Sequence, residues 1–120
     1  MNAPHVAIVI LNWNGRRFLE QFLPSVLQTT YAKYEVIVAD NSSTDDSLLF
    51  LEKEYPSVRI IRLKQNYGFA KGYNEALKQV QADYYMLLNS DVEVVADWLQ
   101  PMVALLETNP RIAAWQPKLL

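Results

Sequence analysis

Val6-Ala7-Ile8-Val9-Ile10-Leu11-Asn12-Trp13-Asn14-Gly15 is an unbroken apolar, mostly β-branched run that stops at a polar turn. A run without polar alternation marks a strand covered on both faces, as in a parallel sheet sandwiched between helices. The segments that follow repeat the pattern. Phe18, Leu19, Phe22, Leu23, Val26 and Leu27 recur at helical spacing, with Pro24 placed to kink that helix or move its start. Tyr34 to Ala39 reads as a second buried strand, ending at Asp40-Asn41-Ser42-Ser43-Thr44-Asp45. A helix through Leu48, Leu49, Leu51 and Tyr55 comes next, with Ser43 or Thr44 as its expected N-cap and Pro56 as its close. Val58 to Leu63 sets Val58, Ile60, Ile61 and Leu63 against Arg59 and Arg62, which suits a strand nearer the sheet edge. Phe69 to Val80 carries Ala70, Tyr73, Ala76, Leu77 and Val80 on one helical stripe. Tyr84 to Leu88 is the fourth strand, and Trp98, Met102, Val103 and Leu106 mark a helix ending near Asn109-Pro110. Ile112 to Trp115 would begin one more strand. Regular alternation of strand and helix predicts an α/β fold of three layers, αβα, around a mostly parallel, Rossmann-like sheet.

Composition narrows the functional classes. A chain of 120 residues, half of them apolar, forms one ordinary globular domain over residues 1–120. A net charge of −2 gives no basic footprint for nucleic acid and no polybasic patch for a membrane surface. There is no cysteine, which excludes disulfides and thiolate metal sites. The only histidine, His5, lies beside the N-terminus, where a frayed, solvated side chain is expected. Val6 to Leu11 is too short to span a bilayer and lacks the basic flank of a signal peptide.

In an open α/β sheet, ligands bind outside the carboxyl ends of the strands. Here those ends are Asn12-Trp13-Asn14-Gly15, Asp40-Asn41-Ser42-Ser43, Gln65-Asn66-Tyr67-Gly68 and Asn89-Ser90-Asp91. In a parallel sheet all four lie along one edge and supply an aromatic surface, amides, hydroxyls and acids. Asp91 follows an apolar strand, where a carboxylate can hold a hard divalent cation in company with phosphates; the same step also suits a plain surface turn. Extended backbone would send the Asn89 and Asp91 side chains to one side. Asp40 could accept hydrogen bonds from a ribose hydroxyl or a base N–H, or serve as an Asx-turn residue. Gly72 sits early in a helix, where glycine costs about 1 kcal/mol against alanine, so either close packing or a ligand must require it. No G-x-G-x-x-G follows the first strand, and no G-x-x-x-x-G-K-[ST] occurs, so the dinucleotide and P-loop readings lose their main support.

Taken in order, the four clusters resemble the family 2 glycosyltransferases, which have the GT-A fold. The resemblance rests on Val6 to Gly15, Glu35 to Ser47, Asn66 to Asn74 and Leu87 to Val92, and covers essentially the whole chain. The wording of the last block is most similar to a bacterial branch that includes rhamnosyltransferase-like enzymes. The resemblance implies the nucleotide-sugar-binding half of a GT-A domain. The implied activity is an inverting transfer of sugar from a nucleotide diphosphate-sugar to an acceptor hydroxyl, in polysaccharide or cell-surface glycan synthesis. It implies donor contacts at Asn12, Trp13, Asn14, Asp40, Asn41, Ser42, Asn66, Gly68, Lys71, Asn74, Asn89 and Ser90, with Asp40 on the base. It places Asn89-Ser90-Asp91 at the family's D-x-D position, with Asp91, helped by Asn89, holding Mg2+ or Mn2+ against the diphosphate. A metal there offsets the charge that grows on the leaving nucleoside diphosphate.

Two departures from the family pattern stand out. Asn89 replaces the first acid of D-x-D, and an amide supplies an oxygen but no charge. The family's catalytic base belongs to a following half, so it is expected beyond Leu120, and Glu93 is not expected to replace it. These readings describe a donor-binding piece of a larger cytoplasmic enzyme, set at the inner face of a membrane, whose glycan or lipid-linked acceptor is met by the other half. An uncovered last sheet edge would favour self-pairing of the isolated piece. Two other classes stand beside this one: a non-catalytic α/β interaction module presenting Trp13, Trp98 and Trp115, and a sugar-nucleotide nucleotidyltransferase-like domain using Arg16 and Arg17.

Overall fold

The computed structural model describes residues 3–108. Four strands, β1 (Val6–Asn12), β2 (Tyr34–Asp40), β3 (Arg59–Arg62) and β4 (Tyr84–Asn89), alternate with four helices. These are α1 (Arg16–Val26), α2 (Ser47–Glu54), α3 (Phe69–Leu77) and α4 (Leu99–Thr108). The strands form one sheet in the order β3-β2-β1-β4, and every pairing is parallel. The expected α/β class with its parallel sheet is therefore the observed one. The expected strand over Ile112 to Trp115 lies outside the described residues.

β1 is central, and its apolar run explains why. Val6, Ala7, Ile8, Val9 and Ile10 are all buried, with exposures of 2% or less. Successive side chains face opposite layers. Val6, Ile8 and Ile10 join the core made with Leu19, Leu23 and Val26 of α1, Leu51 of α2 and Leu99, Met102 and Val103 of α4. Ala7 and Val9 join the other core, with Ile37, Ala39, Ile61 and, from α3, Tyr73 and Ala76. Burying each Val, Leu or Ile contributes about 1.5–3 kcal/mol relative to exposure, so this strand anchors both layers. The chain runs outward from β1 through β2 to β3, then crosses the other face through α3 to reach β4. That reversal puts a topological switch point between β1 and β4.

Local details differ from the sequence expectation in instructive ways. α1 begins at Arg16, well ahead of Pro24, and runs on to Val26, so Pro24 neither moves the start nor ends the helix at once. Phe18 and Leu49, read as core-facing, are exposed; nothing in the structure accounts for Leu49. α2 is capped by neither Ser43 nor Thr44. Asp46 takes the N-cap position, and Asp45 Oδ1 accepts the Ser47 N–H at 3.0 Å. Tyr55 ends α2 just before Pro56, as read. β3 is shorter than Val58 to Leu63, although both of those end residues are buried. α3 stops at Leu77; Val80 is buried beyond it, and Ala70 is exposed. Trp98 precedes α4, is buried, and donates its indole N–H to Thr29 Oγ1 at 2.9 Å, tying α4 to the end of α1. His5 is tied rather than frayed: its backbone N–H donates to Asp83 Oδ2 at 2.7 Å and its carbonyl accepts the Asp83 N–H at 2.9 Å. Among the described residues no helix is long and apolar enough to cross a membrane.

Candidate donor site at the strand ends

Strand register brings the carboxyl ends level. Asn12 pairs with Asp40, and Leu11 with Asn89. Beside them opens a cavity of about 390 Å3, lined by Leu11, Trp13 and Phe18, by Asn41, by Asn66, Gly68 and Phe69, and by Asn89, Ser90 and Asp91. It sits at the β1–β4 switch point, where an open α/β sheet holds its ligands.

The loops around it are fastened by neutral amides and hydroxyls. Asp40 is buried, with Oδ1 accepting Asn12 Nδ2–H at 2.9 Å and Ser43 Oγ–H at 2.7 Å, and Oδ2 accepting the Ser43 N–H at 2.9 Å. Asn14 Oδ1 accepts the Thr44 and Asp45 N–H groups at 2.7 and 3.1 Å, and the Asn14 N–H donates to Ser43 Oγ at 2.8 Å. This clamp holds Asn14 at φ 50 and Ser42 at φ 64, left-handed backbone that costs roughly 1–2 kcal/mol at a residue with a Cβ. Asn41 performs the same task one strand over: its Oδ1 accepts the Tyr67 N–H at 2.9 Å and its Nδ2–H donates to the Gly68 carbonyl at 3.0 Å. Gly68, at φ 81, makes the turn into α3. A Cβ on Gly72 would stand 3.1 Å from both Asn41 Nδ2 and Leu11 Cδ1, so close packing of α3 on the strand ends accounts for that glycine. Burial would raise the Asp45 carboxyl, but hydrogen bonds from Ser47 and from the Arg16 backbone outweigh it and hold the group below the usual carboxylate range.

Of the expected donor residues, Trp13, Asn41, Asn66, Gly68, Asn89 and Ser90 line the cavity, together with Asp91. Asn12, Asn14, Asp40, Ser42, Lys71 and Asn74 do not. Asn12 and Asp40 lie beneath the loops. Lys71 places its Nζ 5.2 Å from the Tyr67 ring centre, and Asn74 is exposed on α3. β4 ends at Asn89, and Ser90 and Asp91 form a turn, so strand alternation does not orient Asn89 and Asp91 together. Asn12 Oδ1 is buried with no hydrogen-bond partner among the described residues. Leu11, Phe18 and Phe69 were missed as wall residues. Phe18 and Phe69 carried a helical apolar signal that does not separate core from cavity rim.

Among the described residues, no three His, Cys, Asp or Glu side chains converge on one point. The candidate metal position is thus one carboxylate and one amide, Asp91 and Asn89. That set fits Mg2+ or Mn2+ shared with ligand phosphates rather than a cation caged by protein alone. Arg16 does not serve a phosphate loop. Its guanidinium lies 4.4 Å from the Phe50 ring centre, pairs with Glu20 and stands 3.8 Å from Asp46.

Fold and cavity together define an open parallel α/β domain with a cleft at the switch point. Residues 7–118 match the family model of glycosyl transferase family 2. The chain belongs to that family. It is 28% identical over 111 residues to a poly-beta-1,6-N-acetyl-D-glucosamine synthase of Staphylococcus aureus, covering 91% of this chain and 27% of the synthase. The solved structure of S. aureus TarS 1-349 in complex with UDP-GlcNAc matches with a TM-score of 0.76 at 23% identity, covering 88% of this chain and 32% of that one. The mannosyltransferase PcManGT from Pyrobaculum calidifontis, solved with GDP-Man and Mn2+, matches at 0.66 with 21% identity, covering 78% of this chain and 29% of that one. The two structures show the fold they share with this chain. The chain spans about two-fifths or less of the length of the curated relatives it matches.

Proposed function

We propose that this chain is the donor-binding part of an inverting glycosyltransferase acting in polysaccharide or cell-surface glycan synthesis, and that its cavity holds a nucleoside diphosphate-sugar with Mg2+ or Mn2+. The observation that carries the reading is the cavity wall itself: among the described residues Asp91 is its only ionisable one, set among amides, a hydroxyl and three exposed aromatics at the switch point. Family membership supports the reaction class, and TarS and PcManGT, which share the fold, were solved with UDP-GlcNAc and with GDP-Man and Mn2+ respectively.

In this reading Trp13 offers a face to the base, while Asn41, Asn66, Gly68 and Ser90 supply polar contacts to sugar and phosphates. Asp91 and Asn89 would hold the metal, which when bound offsets charge on the departing diphosphate. Asn12, Asn14 and Asp40 act by fixing the loops that carry these groups. Lys71, with its Nζ against the Tyr67 ring, stays off the cavity wall. Transfer also needs a base on the acceptor hydroxyl, opposite the leaving group; none of the described residues is assigned that role.

The test is thermal unfolding of the full chain with millimolar UDP, GDP or dTDP, with and without Mn2+ or Mg2+. A ligand at ten times its Kd stabilises by about 1.4 kcal/mol. With an unfolding entropy of about 0.25 kcal/mol/K for a chain this size, that is a rise of roughly 6 °C. Asp91→Ala should remove the metal-dependent part of the rise and leave the ligand-free Tm unchanged, since Asp91 is exposed. No shift with any of the three nucleotides would sink the proposal.

A further inference from the structure

Tyr73 of α3 is the one tyrosine buried at the cavity end of the sheet: its ring packs in the core with Ala7 and Val9, and its hydroxyl reaches the strand ends. It donates to the Leu88 carbonyl at 2.6 Å and receives the Leu11 N–H at a long 3.4 Å. Leu88 immediately precedes Asn89, and Leu11 itself lines the cavity two residues before Trp13. The Tyr73 ring also meets the wall residue Phe69 edge-on, with centroids 5.1 Å apart at 78°. One side chain therefore touches the β1 wall, the last β4 residue before the wall and the α3 rim.

We propose that Tyr73 is a positioning residue: its hydroxyl, pinned between Leu11 and Leu88, fixes the spacing of β1 and β4 at their carboxyl ends, and with it the placement of Trp13 relative to the Asn89-Ser90-Asp91 turn. Its bearing on sugar-donor binding rests on the proposed function; the spacing itself does not. A phenol suits this task because a rigid ring places the oxygen without rotamer search. Burial pushes the Tyr73 hydroxyl up to about 12, so it remains a donor across the working pH range. Removing the oxygen takes a donor away from the carbonyl of buried Leu88, next to the turn.

Tyr31 provides the control. It is also buried and also donates its hydroxyl to a carbonyl, that of Pro4 at 2.6 Å, at the opposite end of the sheet. The experiment compares wild type, Tyr73→Phe and Tyr31→Phe in the full chain, by amide hydrogen exchange and by calorimetric titration with UDP and Mn2+. Tyr73→Phe should speed exchange at residues 89–92 and weaken UDP by roughly tenfold, the scale on which groups that orient metal ligands act. Tyr31→Phe should do neither, although it lowers the ligand-free Tm. Unchanged exchange at 89–92 in Tyr73→Phe, or equal weakening of UDP by both variants, overturns the assignment. Should wild type bind no UDP, the donor reading falls and the exchange comparison alone decides the role of Tyr73.

Discussion

Replacing Gly15 with alanine tests the frame beneath the cavity more sharply than any change in the wall. A Cβ at Gly15 would stand 2.5 Å from Asn12 Oδ1 and 3.2 Å from Ser90 Oγ. The backbone there has φ −105, which any residue accepts, so the cost comes from space and not from conformation. Asn12 is fully buried and its Nδ2–H donates to the Asp40 carboxylate at 2.9 Å. To admit the methyl group, the Asn12 amide must turn and give up that bond, or the whole turn must move. Losing a hydrogen bond to a charged group costs about 1.5–3 kcal/mol, and overpacking alone costs about 1–3 kcal/mol. We expect Gly15→Ala to destabilise by about 2 kcal/mol, or roughly 8 °C in Tm at an unfolding entropy near 0.25 kcal/mol/K. Urea unfolding measures it, with Asn12→Ala as the second arm of a double-mutant cycle. With the amide gone, the one close contact left is Ser90 Oγ at 3.2 Å, the end of a small side chain that can turn away, and the cost should fall below about 0.5 kcal/mol. The same cost in both backgrounds, or a single-mutant loss under that limit, would refute the packing account.

Two further expectations concern the loops. Asp45 titrates below an ordinary carboxyl because Ser47 and the Arg16 N–H bond its ionised form. Its contribution to stability is complete above the unfolded value near 3.9 and is lost as pH falls through the lower native value, so Asp45→Asn should flatten the fall in urea stability between about pH 5 and pH 3. Gly68→Ala meets no atom within 4 Å but must hold φ +81. With ψ at −171 this is backbone that glycine alone adopts readily, so alanine should cost about 1–3 kcal/mol through strain alone, and asparagine, whose tolerance is for the αL region, should cost as much in the same unfolding assay.

The strands were legible because burial on both faces leaves no polar positions to confuse the reading, as Val6 to Ile10 illustrate. Helix faces were less so. Phe18 and Leu19 are both apolar, yet Leu19 packs in the core and Phe18 stands at the cavity rim. Residue type alone cannot separate a hydrophobe that faces the core from one that faces a ligand cleft. The cap of α2 failed for a related reason. Ser43, Thr44, Asp45 and Asp46 can all cap a helix, and the choice is made across the sheet, where Asn14 claims Ser43 and Thr44. Asp40 shows the same limit at the site. The strand-end rule put it at the ligand edge, but only the level pairing of Asn12 with Asp40 buries it under Asn12 and Ser43. The amides of Asn41 and Asn66, by contrast, sit where that rule expected polar groups, on the cavity wall.

The two acids at the strand ends are treated in opposite ways, and this bears on what the cavity can accept. Asp40 is buried and satisfied by neutral donors alone, so its charge is spent on the frame. Asp91 is exposed on the cavity wall, and no Lys or Arg is among the described residues that line it. Unit charges 5 Å apart at an effective dielectric constant of 20 interact with about 3 kcal/mol. A bare diphosphate entering beside Asp91 would meet repulsion on that scale, against a wall that offers otherwise only amides, a hydroxyl and aromatic faces. A divalent cation reverses the sign, because Asp91 then attracts the complex. Because Asn89 is an amide, Asp91 is the one acid among the described wall residues, which suits a cation that arrives already bound to its phosphates rather than one held in advance by the protein. On this basis metal and nucleotide should stabilise the chain together far more than the sum of their separate effects, and metal alone should do little.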